Sequence, residues 1–285
     1  MSAVRHRLGD EAVRLLAEDA KLALLATVTE RGLPHLTLIT SLQAKSPTRL
    51  MFGQFCEGLS KTHVTRNPSV GFLALDRGRR WIRGKARWRG SAKQGEDYEA
   101  FNRKPMFRYN AYFGIHTVHY LDLVEVEDER LLTTVPLVAG ALAARLAALT
   151  FAGAGDEALT PWSRSLIGSP SSLKFLAYVG DDGHPEILPA VAAVTRGAGR
   201  VVLVPTLDGG EAPPIRADSH VALFAIDLEM RSVLLRGVFH EWRTGAGLAA
   251  AAVDVDWVYN TMPPKHGQVF PAVPLAPVRF AASSR

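Results

Sequence analysis

Ser60, Lys61 and Thr62 stand side by side, behind Gly58 and ahead of Asn67-Pro68. An ammonium flanked by two hydroxyls is a donor set for a phosphate, the lysine supplying charge and the hydroxyls direction. The strand-like run RLMFGQF precedes the group, and a short helix is expected over HVTRN, ended by Asn67-Pro68. The three side chains therefore fall at a helix start, where unpaired N–H groups and the positive end of the helix dipole favour anions. The plainer alternative is that Ser60 or Thr62 caps the helix while Lys61 is solvated.

A second polar cluster lies in WVYNTMPPKHGQVF, Trp257 to Phe270, a Pro-rich loop before a strand. Tyr259, Asn260 and His266 have partners in RYNAYFGIHTVHY and are expected to shape the chain. Lys265 and Gln268 lack such partners and are the functional candidates there. Other groups carry less. His116 and His119 are three apart on an expected strand, hence on opposite faces, and no metal site is expected. The lone Cys56 excludes an intrachain disulfide or a CxxC zinc ribbon and suits a small strand-end residue. Neither GxGxxA string, Gly153 to Ala158 or Gly245 to Ala250, sits in the strand–helix–strand setting that dinucleotide binding needs.

The elements that must hold these residues repeat. Sliding the chain by 151 lays LLATVTERGLPHLTLI (from Leu24) on FLAYVGDDGHPEILPA (from Phe175), and the offset persists to Asp76, with Arg49 on Arg200, Val70 on Val221 and Asp76 on Asp227. Two extra residues in the second copy would then set Arg83-Gly84 on Arg236-Gly237. An offset of 150 would set Tyr109-Asn110 and His116 on Tyr259-Asn260 and His266. At the positions of Gly58 to Thr62 the second copy has Gly209, Gly210, Glu211, Ala212 and Pro213, so the hydroxyls and the lysine occur once. A structural requirement would be expected twice.

Each copy reads as a hairpin, a third strand, a polar segment, two more strands, a Gly-bearing stretch and a last strand. Many short strands with few helices imply a mainly β fold, a closed or partly closed barrel with short helices. Asp10 is expected to cap a helix reaching Ala20, with Val13, Leu16, Ala17 and Ala20 as its apolar face. The boundaries expected are 1–135 for the first lobe, 136–172 for a helical linker with one helix and a Gly/Ser/Pro loop, and 173–285 for the second lobe.

With 47% hydrophobic and 21% charged residues, the composition is that of a globular protein, and its net charge of +5 is dispersed. No nucleic-acid partner is expected. The N-terminus lacks the apolar core of a signal peptide, and a cytoplasmic location without membrane contact is expected. The most apolar segment, VPLVAGALAARLAALTFAGAG, carries Arg145 at its centre and is expected to be a buried helix.

The order LATVTERGLPHLTLIT, RLMFGQF, SKTHVTRNPSVGFLALD, WIRGKARW resembles the flavin mononucleotide (FMN)-binding split β-barrel family that includes the pyridoxamine 5'-phosphate oxidase-like proteins. The likeness covers about residues 20 to 130, and more weakly 173 to 280. It implies two tandem split β-barrel lobes forming a pseudo-dimer, FMN as cofactor, and an oxidoreductase handling a small-molecule redox substrate. The assembly would be a homodimer, or a monomer with an internal pseudo-dimer. On this resemblance Ser60, Lys61 and Thr62 hold the flavin phosphate, while Thr40, Ser41 and Gln54 face the ribityl chain and ring edge. The chain has Ser-Lys-Thr where the family commonly has Ser-Arg-Lys. The alternatives are a haem-binding or haem-degrading barrel, with His116, His119, His240 or His266 as axial ligand, and a barrel pair that binds a ligand without catalysis.

Overall fold

The computed structural model describes residues 4–55, 58–104, 114–153, 156–189, 192–206, 212–245, 248–262 and 266–274. Two compact units share the chain: Met1–Pro136 with Leu176–Pro189, and Leu137–Phe175 with Ala190–Arg285. The chain is mainly β, with two antiparallel sheets and short helices. Among the described residues no helix is long and apolar enough to cross a membrane.

The first unit runs β1 (Val4–Arg5), α1 (Asp10–Ala17), β2 (Lys21–Val28), β3 (Pro34–Leu38), β4 (Gln43–Ser46), β5 (Arg49–Gln54) and α2 (Leu59–Arg66). It continues with β6 (Ser69–Asp76), β7 (Arg80–Ala92), α3 (Glu96–Arg103), β8 (Thr117–Glu127) and β9 (Arg130–Leu131). Its sheet has the order β3-β2-β6-β7-β8-β5-β4. Side chains from five of these strands meet in one buried cluster around Leu25, Phe52, Phe72, Ile82 and Leu121, closed at one side by Leu15 and Leu16 of α1. The sheet therefore curls around its own core as a barrel.

After α4 (Thr134–Ala148) and α5 (Pro161–Gly168) come β10 (Leu173–Val179), β11 (Pro185–Leu188), β12 (Ala192–Arg196), β13 (Arg200–Val204) and β14 (His220–Ile226). Then follow β15 (Ser232–Phe239), β16 (Arg243–Gly245), β17 (Leu248–Asn260) and β18 (Gly267–Phe270). The order β14-β15-β17-β13-β12 repeats β6-β7-β8-β5-β4 of the first sheet. Hairpin β10–β11 pairs Val179 with Pro185 as β2–β3 pairs Val28 with Pro34.

Strand registers define the repeat more sharply than residue identity does. Arg49 faces Asp122 across β5 and β8, and Arg200 faces Asp254 across β13 and β17; both pairs close with Nε–Oδ1 bonds, of 2.9 and 2.6 Å. Val70 faces Ala86 and Val221 faces Gly237. The offset of 151 thus continues into β7, and Arg236-Gly237 corresponds to Lys85-Ala86, not to Arg83-Gly84. A bulge follows the first member of each pair. In the last strand Asp122 corresponds to Asp254, so Tyr259-Asn260 ends β17 and is not the counterpart of Tyr109-Asn110, which lies outside the described residues.

Three helical expectations change. Gly9 occupies the N-cap of α1, Asp10 is its first helical residue, and the buried face is Ala12, Leu15 and Leu16. The segment between the repeats holds two helices, α4 and α5. Of α4, Ala144 and Ala148 pack on Val194, Val202 and Ala252, whereas Val138, Leu142 and Leu146 are exposed. Its small residues seat it on the sheet, and its large ones face out.

Strands β2 and β6 are apolar almost without alternation and buried along most of their length. The barrel core covers one face. On β6 the tip of hairpin β10–β11 lies so close that a Cβ at Gly71 would come within 2.1 Å of the Pro185 carbonyl oxygen. Flanking contacts hold the same hairpin: Lys85 Nζ bonds Asp182 Oδ2 at 2.9 Å and lies 3.1 Å from Glu186, while Arg83 donates to the Ile187 carbonyl at 3.2 Å. Since the opposing atom belongs to backbone, Gly71→Ala is expected to cost about 2 kcal/mol or more. A lowered denaturation midpoint measures it; an unchanged midpoint contradicts the packing.

Candidate functional site

α2 begins one residue after Gly58, so Ser60, Lys61 and Thr62 lie in its first turn instead of ahead of a shorter helix. Gly58 is an extended N-cap that supplies no side-chain bond. Ser60 and Val64 are four apart, hence on one face, and that face is buried: Val64 joins the barrel core and Ser60 is 1% exposed. Ser60 Oγ has no hydrogen-bond partner among the described residues. Such a hydroxyl costs free energy unless a ligand or water meets it. Thr62 faces solvent. His63, on the same helix, fastens α2 to β2 through Nδ1 and Thr27 Oγ1 at 3.1 Å.

β5 supplies the next part by strand alternation. Leu50, Phe52 and Gln54 fall on one face; the first two enter the core, and Gln54 ends the strand as its polar tip. Across the ladder Phe52 faces His119 of β8, their rings stacked with centroids 4.7 Å apart. His119 is 5% exposed, and both ring nitrogens are engaged. Trp88 Nε1–H donates to Nδ1 at 3.2 Å. Nδ1 is thereby the acceptor, so the proton sits on Nε2 and is donated to Gln54 Oε1 at 2.8 Å. With its carbonyl engaged, Gln54 retains its NH2 group as a donor.

Burial, and then the nearby Lys61 ammonium, hold the His119 pKa down at about 4. Lys61 is thus near enough to act on His119, and the helix start, the strand tip and the histidine share one neighbourhood. Ser41 lies close by in sequence to β4, but on a turn and not on a strand. Its hydroxyl is spent on the Gly53 peptide, donating to the carbonyl at 2.8 Å and accepting from the N–H at 3.0 Å. Thr40 is half-buried on the same turn.

Gln268 belongs to the second unit, on β18. It accepts from Trp257 Nε1 at 3.0 Å and donates to the Pro271 carbonyl at 2.8 Å, so both amide ends are taken. Lys265 and Cys56 lie outside the described residues. His116 is exposed and His119 buried, on opposite faces as their spacing requires. His240 bonds Asp254 through Nε2 at 2.8 Å. No group of three His, Cys, Asp or Glu that could hold a metal occurs among the described residues.

The second sheet shows what is particular to this cluster. By the shared registers, Gln54, Trp88 and His119 correspond to Pro205, Phe239 and Ala251, and Ser41 to Ala192. Each polar member is replaced by an apolar one while the strands persist. Sequence reasoning missed the histidine's part, because its partners stand 31 and 65 residues away.

The chain matches no protein-family model and no curated protein. Among solved structures it is similar to the H111A form of HupZ from Group A Streptococcus (17% identity, TM-score 0.35, 43% of this chain and 98% of that one). It is also similar to a pyridoxamine 5'-phosphate oxidase candidate from Lactobacillus delbrueckii (21%, 0.36, 44% and 96%) and to an FMN-binding protein from Syntrophomonas wolfei (14%, 0.36, 42% and 84%). Two of the three bear names, pyridoxamine 5'-phosphate oxidase and FMN-binding protein, that match the family the sequence resembles.

Because His119 is held neutral in the fold, unfolding takes up a proton between its folded pKa of about 4 and the ordinary value near 6.5. Its contribution is complete above pH 6.5 and falls as pH drops toward 4, by about 3 kcal/mol in all. Nitrogen-15 NMR at pH 6 should show a neutral ring protonated on Nε2. A ring titrating near 6.5 would contradict this arrangement.

Proposed function

We propose that the first unit binds FMN, its phosphate at the start of α2, and that the protein is an oxidoreductase acting on a small-molecule redox substrate. The observation that carries this is the buried Ser60 hydroxyl without a partner among the described residues, beside Lys61 in the first turn of a helix. Helix N–H groups, a hydroxyl and an ammonium converging there are the donors that a phosphate monoester accepts.

The remaining residues fit a flavin in kind. Gln54 offers an NH2 donor of fixed orientation to the acceptor edge of a ring or to a ribityl hydroxyl, and Thr40, half-buried on the turn next to Ser41, is a further polar candidate. Ser41 acts at one remove, by holding the Gly53 peptide of β5. Bound FMN would supply the electron or hydride transfer itself. The protein's part is to seat the phosphate, orient the ring edge through Gln54 and keep His119 uncharged beside it. The loss of the corresponding polar residues in the second sheet favours one such site over two.

An absorbance spectrum of the purified protein and a titration with FMN test the proposal. Saturable binding with a flavin spectrum is expected. Lys61→Ala should weaken binding roughly 10- to 100-fold, the worth of one charge-assisted contact, with unfolding little changed. Absence of saturable FMN binding would remove the proposal, and equal affinity in the variant would remove Lys61 from the site.

A further inference from the structure

The second unit contains a cavity of about 40 Å³ between α4, the end of α5 and β12, lined by Arg145, Ser169, Ser172 and Lys174. Lys174 is 6% exposed and Ser172 5%. Lys174 Nζ donates to the Ser169 carbonyl, the C-cap of α5. Ser172 Oγ has no hydrogen-bond partner among the described residues. Arg145 reaches the same cavity from α4, and its charge joins burial in holding the Lys174 pKa down at about 8. Among the described residues no carboxylate pairs with either cation.

The first sheet gives the control. Lys21 there donates to the Glu18 carbonyl, the C-cap of α1, so a buried lysine at the end of the preceding helix has a structural use in both copies. Lys21 also has a second cation near it, Lys104, but there the carboxylates of Glu18 and Asp19 balance the charge, and Lys104 is itself paired with Asp19 at 3.2 Å. Lys174 lies beside a second cation, in a cavity with an orphaned hydroxyl. Capping accounts for one N–H bond of the ammonium; it does not account for Arg145 or Ser172. Position 174 is moreover matched by the core residue Ala23 in the first copy, so the lysine is not needed to build the strand.

We infer that this cavity is a binding site for a small oxyanion of phosphate or sulfate type, held by Lys174, Arg145 and the Ser172 hydroxyl. The volume suits a free ion or the terminal group of a larger ligand, and the donor chemistry is the same for both. This inference is independent of the flavin proposal.

The test is thermal unfolding of the full chain in inorganic phosphate against chloride at matched ionic strength. Lys61→Ala is used as the parent so that the start of α2 contributes least. At saturating phosphate the parent should gain roughly 2–4 °C over chloride. Adding Arg145→Ala, an exposed position whose loss spares the core, should abolish the gain, and Ser172→Ala should reduce it. Phenyl phosphate in place of phosphate separates the sources: an equal gain assigns the site to a phosphate group of a larger ligand, no gain assigns it to the free ion. No gain over chloride in the parent, or the same gain with Arg145→Ala, would overturn the inference.

Discussion

The period of two along β5 is the constraint on which the candidate site rests. Leu50, Phe52 and Gln54 must share a face because alternate residues of a strand do, and the burial of Leu50 and Phe52 in the barrel decides which face it is. A slip of one residue would send Gln54 outward and bring Met51 and Gly53 inward. The phenylalanine that fixes the register also stacks on His119, so the packing that closes the barrel positions the ring whose proton orients Gln54. Stability and site geometry are one arrangement at this end of the sheet. The helix start joins it by the same logic, Val64 entering the core and drawing Ser60 inward with it.

The second sheet separates what the barrel needs from what the site needs. Strand order, hairpin register, the bulge and the cross-strand arginine–aspartate pair recur in both sheets. Gln54, Trp88, His119 and Ser41 do not recur, and apolar residues stand in their places. Replacing both partners of a buried hydrogen bond by apolar groups costs little, whereas replacing one strands the other. Loss of the tryptophan, the histidine and the glutamine together is the pattern this predicts for residues that depend on one another.

The fold was largely legible because the repeat and the apolar runs are local signals. The hairpin LALLATV–TERG–LPHLTLIT is found where expected, as β2 and β3, and its second copy as β10 and β11. Legibility failed where a short identity was weighed above a register. Arg83-Gly84 and Arg236-Gly237 share letters, but ladder partners place Lys85-Ala86 opposite the equivalent strand positions, since a pairing of whole strands outweighs one dipeptide. The long last strand shows the same failure at Tyr259-Asn260. For the candidate site, Ser60 and Lys61 were visible by residue type, and Gln54 only through the family resemblance. The relay was not: a histidine's role depends on which nitrogen is protonated, and that is set by Trp88 and Gln54 from distant strands. The α4 segment was misjudged for a different reason. Mean hydropathy reports how apolar a helix is and not which of its faces is covered.

The buried lysines extend this to charge. Lys21 and Lys174 occupy different positions in their repeats, yet each sends its ammonium to the carbonyl that ends the preceding helix, and each is lowered to about 8 chiefly by burial. A helix C-terminus offers unpaired carbonyls and the negative end of the dipole, so a cation there is favoured wherever the strand start allows one. What differs is the rest of the charge balance. Beside Lys21 a second cation, Lys104, is present too, but Glu18 and Asp19 balance it within the chain itself. Beside Lys174 the neighbouring charge is another cation, Arg145, and two like charges around a cavity with an unsatisfied hydroxyl favour an anion that the described residues do not supply.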